Sequence, residues 1–156
     1  MKKRVVLKIA VLILSGILIV GISGLYAGTE VKDTINMKNK AYKKHTKSIA
    51  VFTHKKHIEE YKAGCGECHH NEKGEPLKDL KIGDNVKNCI ECHNKPGQKP
   101  KGKKLTPKEK LEYHAEAIHE NCKGCHKKFN KEKGLKSKDK GAAPTSCKKC
   151  HPKKKK

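Results

Sequence analysis

Cys65, Cys68 and His69 stand in the pattern C-x-x-C-H, two thiols three positions apart with an imidazole next in line. Thiols at that spacing can add across the two vinyl groups of one haem, and the histidine that follows can reach back to the iron as proximal ligand. The pattern returns at Cys89, Cys92 and His93, at Cys122, Cys125 and His126, and at Cys147, Cys150 and His151, which uses all eight cysteines. With ten histidines among 156 residues, chance would place one after all four pairs with a probability on the order of 10⁻⁵. The predicted cofactor is haem c, in four covalently attached copies.

Two other chemistries use cysteine at this density. A disulfide framework gives no reason for the histidines. Structural zinc takes four N or S ligands, and a strongly basic zinc protein would point to nucleic acid. A zinc ribbon does not need His directly after the second Cys, so no nucleic-acid partner is expected.

Four proximal ligands use His69, His93, His126 and His151, leaving His45, His54, His57, His70, His114 and His119. Methionine is the usual rival for the sixth position, but after residue 27 the chain has only Met37, enough for one haem at most. Bis-histidine iron is the economical expectation. It implies low reduction potentials and leaves no open coordination position for a substrate, so no catalytic residue and no enzymatic activity are expected.

The elements that must hold these groups are sparse. Charged residues make up 35% of the chain and apolar ones 34%, with no Trp and two Phe, and part of the apolar share lies in residues 1–27. Side chains alone would bury too little area to offset ordering entropy. The expected fold is therefore mostly irregular, with a few short α-helices and little β, the haems forming most of the core. An apoprotein should be largely unfolded.

Lys2, Lys3 and Arg4 ahead of the apolar run Val5 to Val20 read as an export signal with a cut after Ala27, or as an uncleaved membrane anchor. Residues 28–48 read as an irregular arm, 49–152 as the haem-bearing domain and 153–156 as a basic tail. The formal net charge is +22; without residues 1–27 there remain 34 basic against 16 acidic side chains, or +18. Two propionates per haem bring this to about +10, still basic enough to favour rapid, salt-sensitive encounter with acidic partners.

Local signals place the histidines. Ser48 to Phe52 reads as a short strand or extended edge leading to His54 and His57, which in one helical turn would share a face yet stand one above the other, able to address different irons. Asn94 to Lys104 is a Lys-, Pro- and Gly-rich loop. Thr106-Pro107-Lys108-Glu109 is a capping box with Pro at the first helical position, predicting a helix that runs through His114 and His119 toward Asn121. Residues 130–146 read as a second loop.

Phe52-Thr-His54-Lys-Lys-His57, then Cys65-x-x-Cys68-His69-His70 and three further attachment motifs, resembles the class III multihaem cytochromes c, the tetrahaem cytochrome c3 family, over roughly residues 49–152. The resemblance implies His54, His57 and His70 as distal ligands of haems 1, 3 and 2. For haem 4 it offers two candidates. His119, three residues ahead of Cys122, matches the shorter three-haem members and is preferred; Tyr113-His114 resembles the Tyr-His pair of the tetrahaem ones. His45 and His114 would then be surface or supporting histidines. The short C-x-x-C spacing at all four sites departs from many tetrahaem relatives, which often widen two.

These pairings tie the irons into one connected set: His69 and His70 join haems 1 and 2, His54 and His57 join haems 1 and 3, His119 and His126 join haems 4 and 3. Phe52 resembles the aromatic that the family packs between haems, and would otherwise be plain core packing. The expected protein is a periplasmic, low-potential electron carrier, soluble or tethered to the inner membrane. The resemblance implies acidic partners such as a periplasmic hydrogenase, a formate dehydrogenase or membrane redox complexes, met by a lysine-ringed haem 4 edge that Lys148, Lys149 and the C-terminal lysines would supply. The alternative is a membrane-anchored tetrahaem quinol dehydrogenase, marked by a retained N-terminal helix and one unusually ligated haem.

Overall fold

The computed structural model describes residues 31–153; the expected export signal or anchor and the last three lysines of the tail lie outside them. Residues 31–82 and 86–153 form one compact unit. Its regular structure is a two-stranded antiparallel sheet, β1 (Ile35–Asn36) and β2 (Val51–Phe52), and five helices. These are α1 (His54–Glu59), α2 (Cys89–Cys92), α3 (Pro107–Leu111), α4 (His114–Glu132) and α5 (Cys147–Cys150), with a 3-10 turn at Cys65–Glu67. The rest is irregular, as expected, although α4 runs for 19 residues.

The edge expected at Ser48 to Phe52 is β2, and its partner β1 lies in the stretch read as an irregular arm, with Ile35 opposite Phe52. Two residues carry no periodicity, so only the pairing reveals the strand. The sheet leads directly into α1, where the Lys55 amide donates to the Asp33 carbonyl at 3.2 Å.

The capping box at Thr106 forms as read: Glu109 Oε2 accepts from the Thr106 amide at 2.8 Å and Thr106 Oγ1 accepts from the Glu109 amide at 3.2 Å. The helix it starts does not run on to Asn121. It stops at Leu111, Tyr113 is extended (φ −82°, ψ 115°), and α4 starts afresh at His114. The supposed loop is the cause. Lys95 N–H donates to the Glu112 carbonyl and its own carbonyl accepts from His114 N–H, both at 2.9 Å, while Ala115 N–H donates to the Gly97 carbonyl at 3.1 Å. These bonds take backbone groups that a continuous helix would need.

Helix α4 also passes the expected boundary at its far end, so the second loop begins near residue 133 rather than 130. Gly134, at φ +63°, takes the left-handed position after the last turn, and Leu135 N–H closes back on the Asn130 carbonyl at 2.7 Å. That is a Schellman stop, and a Gly two residues after Glu132 was its signal.

Almost nothing apolar is covered. Among the described residues Ala117, at 8% exposed, is the buried hydrophobic side chain, and the other buried ones are His114 and Asn130. A chain with so little core of its own is organised around something it binds.

Candidate functional site

Each C-x-x-C-H motif is one helical turn. The amides of His69, His93 and His151 donate to the carbonyls of Cys65, Cys89 and Cys147 at 2.8 to 2.9 Å, and the third motif lies within α4. Positions i, i+3 and i+4 of a turn share a face, so both thiols and the imidazole of a motif address one side. At α2 the turn is fixed by a capping contact, Glu91 Oε1 accepting from the Asn88 amide at 2.7 Å, for which Asn88-x-x-Glu91 was the sequence signal.

The histidines come in pairs, each joining a motif imidazole to one from outside that motif. Ring centroids lie 6.4 Å apart for His54 and His69, 5.8 Å for His70 and His93, 6.1 Å for His57 and His126, and 6.3 Å for His119 and His151. A metal–nitrogen bond of about 2 Å, plus roughly 1 Å from nitrogen to ring centre, sets two imidazoles across one iron about 6 Å apart. Among the described residues no three His, Cys, Asp or Glu side chains gather around a common point. Two imidazoles alone suit a metal whose remaining ligands come from a macrocycle, and do not suit tetrahedral zinc.

Protonation fits the same role. The Nδ1 atoms of His57, His70, His93, His126 and His151 lie 2.6 to 2.8 Å from the carbonyls of Thr53, Asn71, Leu111, Pro144 and Ser48. A carbonyl can only accept, so each Nδ1 carries the proton and leaves the Nε2 lone pair for a metal. The Leu111 carbonyl that holds His93 is free because α3 ends there. Burial holds His69 and His119 below the ordinary imidazole range, which favours the neutral, ligating form. Nδ1 of His54 is buried without a hydrogen-bond partner.

Beside His151 the chain leaves a cavity of about 650 Å³ lined also by Cys147, Lys148 and the segment His45 to Ile49. Ser48 is tied to this site twice, its carbonyl accepting from His151 and its hydroxyl donating to the Pro152 carbonyl at 2.6 Å. No disulfide joins any of the eight cysteines. Burial pushes the Cys122 thiol up to about 11, with Cys68, Cys150 and Cys89 close enough to add to the effect.

The remaining histidines do not pair with motif imidazoles. His114 is buried, its Nδ1 2.8 Å from the Tyr42 hydroxyl, and Tyr42 also stacks on His45 at 4.9 Å. Burial lowers His114 and raises Tyr42, so the hydroxyl donates to a neutral ring. This Tyr42 cluster fastens the arm, and nothing in the local sequence announced it. Phe52 lies beside two ligand candidates, 5.6 Å from His54 and 4.7 Å from His57.

The pairs differ in ring orientation. His57 and His126 are 26° from parallel, while the others cross at 65° to 90°. Imidazole rings that ligate one iron split its d orbitals through their π systems, parallel rings reinforcing the splitting and crossed rings cancelling it, so a haem held by His57 and His126 would be spectroscopically distinct from the other three.

Four attachment turns and four facing imidazole pairs on a mostly irregular scaffold define a multihaem c-type cytochrome. The chain belongs to the class III cytochrome c family, whose model matches residues 30–155. Among curated proteins it is similar to a cytochrome c3 from Maridesulfovibrio salexigens, 36% identical over 121 residues that cover 76% of this chain and 92% of that relative. It is thereby a multihaem electron-transfer cytochrome with covalently bound haem c.

Proposed function

We propose that this protein is an exported, low-potential electron carrier holding four bis-histidine haems, the pairs being His69 with His54, His93 with His70, His126 with His57, and His151 with His119. The observation that carries the reading is the recurrence of one geometry: four times, a motif imidazole faces a second imidazole at 5.8 to 6.4 Å. The thioether bonds would form at Cys65 and Cys68, Cys89 and Cys92, Cys122 and Cys125, and Cys147 and Cys150. When bound, haem supplies one-electron Fe(III)/Fe(II) chemistry.

The chain's own residues set the conditions for that chemistry. Carbonyls on five Nδ1–H groups orient the rings and raise their basicity, which favours the oxidised metal and keeps potentials low. With two imidazoles supplied at each site, the protein would provide both remaining ligands of a haem iron and leave no position for a substrate, as an electron carrier requires. The lysine-rich surface would steer acidic partners in the periplasm, a hydrogenase, a formate dehydrogenase or a membrane redox complex. Export rests on the charged and apolar run before Ala27.

The test is the intact mass of protein from a host with haem-attachment machinery, read with its reduced-minus-oxidised spectrum. Four haems, low-spin bands and loss of residues 1–27 are expected. A full-length chain with a high-spin fraction would indicate the anchored quinol dehydrogenase instead, and a colourless chain would overturn both.

A further inference from the structure

We propose that Asn130 is a positioning residue for the third site, setting the ring of His126 through the loop that leads to the fourth. The inference rests on the assignment of His126 and His57 to one haem.

Asn130 lies one turn beyond His126 on α4 and is 6% exposed, the most enclosed polar side chain among the described residues. Asparagine is a poor interior helix former, and burying its amide is unfavourable unless both ends are bonded. Here both are: Nδ2–H donates to the Ala143 carbonyl at 3.0 Å, and Oδ1 accepts from the Ala143 amide at 2.8 Å. One backbone residue thus supplies an acceptor and a donor together, which fixes the orientation of the side-chain amide.

The clamped residue is followed by Pro144, whose carbonyl accepts from His126 Nδ1 at 2.7 Å. Proline has its φ fixed by the ring. With Ala143 held and that torsion set, only ψ of Pro144 can still turn its carbonyl, and the imidazole that donates to it is held through the same short segment. The contacts close a loop on α4: out from Asn130, through Ala143 and Pro144, and back to His126 four residues earlier. Only Thr145 and Ser146 separate this clamp from Cys147, so the same contact ties the third attachment turn to the fourth.

A hydrogen bond from Nδ1–H makes a ligating imidazole more electron-donating. Loosening the Pro144 carbonyl weakens that bond, so the third haem should become easier to reduce while its ring orientation relaxes. Asn130→Leu removes both amide contacts while keeping the number and branching of side-chain heavy atoms, and Asn130→Ala does so without risk of overpacking. Each is compared with the wild-type holoprotein by intact mass, low-temperature electron paramagnetic resonance of the oxidised form, and redox titration of each signal.

The expected result is four haems in both variants, a shifted signal for the near-parallel pair with its midpoint raised, and unchanged signals from the pairs of His69 and His93. A variant that lacks only the haem of Cys122 and Cys125, located by peptide mass, also upholds the positioning role. Four haems with the third signal and midpoint unmoved overturn it and leave the ligand assignment intact, and loss of haem from every site overturns it in favour of general destabilisation. A wild-type protein without a near-parallel signal also overturns the proposal, since the ring orientation that Asn130 is proposed to set is then not kept when iron is bound.

Discussion

The imidazoles of His57 and His126 face each other 26° from parallel with their centroids 6.1 Å apart, although one comes from the short helix α1 and the other from the middle of α4. The His119 and His151 rings, by contrast, stand at 90°. Oxidised protein should therefore give one rhombic low-spin resonance and three of large anisotropy. His57→Ala should remove the rhombic one and leave the others, with one haem turning high-spin. Four alike signals in the wild type would show that the orientations are not kept when iron is bound.

The shortage of core has its own test. With Ala117 as the buried apolar side chain among the described residues, little besides the cofactors can be expected to hold the chain. Protein made without haem attachment should show weak helical circular dichroism and no cooperative melt. A cooperative transition in that material would mean that the arm, sheet and α4 suffice alone.

Stability should fall in mild acid because of His114. Burial, with His93 adding to it, holds its pKa below the unfolded value, and Tyr42 is the other titratable group against it. Where the unfolded chain binds more protons, stability rises with pH. The contribution is thus complete above the unfolded pKa of about 6.5 and is lost as pH falls through the folded value. Denaturant midpoints of the haem-bearing protein should drop between about pH 7 and about pH 5, and less steeply in His114→Gln. Parallel loss in both proteins would assign the effect elsewhere.

The two lysines of the fourth motif should differ in their effect on partner encounter. Lys148 borders the cavity beside His151, while Lys149 Nζ donates to the Ser137 carbonyl at 2.5 Å and is less free to meet a partner. Lys148→Glu should slow electron transfer with an acidic hydrogenase several-fold at low salt, with the difference vanishing as salt screens it. Lys149→Glu should do less. Equal and salt-independent rates for both variants would place the encounter surface elsewhere.

The sequence disclosed what depends on local order. The four attachment turns, the capping box at Thr106 and the sharing of one helical turn by His54 and His57 all follow from spacings of three or four residues. The structure brings His119 rather than His114 to His151, a choice between two candidates that the resemblance had left open. What stayed hidden depends on backbone partners far away in the chain. The break at Tyr113 comes from Lys95 and Gly97, β1 exists only through Phe52 and Val51, and Ser48 and Asn130 act on histidines through carbonyls that no residue type reveals. Tyr42 and His114 are 72 positions apart, and each looked ordinary alone.

One consequence concerns how chains of this kind can change length. His119 and His126 sit on one uninterrupted helix, so a single residue gained or lost between them would turn one ring about 100° away from the imidazole it faces. The adjacent His69 and His70 allow no insertion either, since each faces a different histidine. The irregular stretches at 72–87, 98–105 and 135–141 carry no paired imidazole and can lengthen or shorten at small entropic cost. Variation in size among such proteins should collect in those three places, while the spacings along α4 and across the doubled histidine stay fixed.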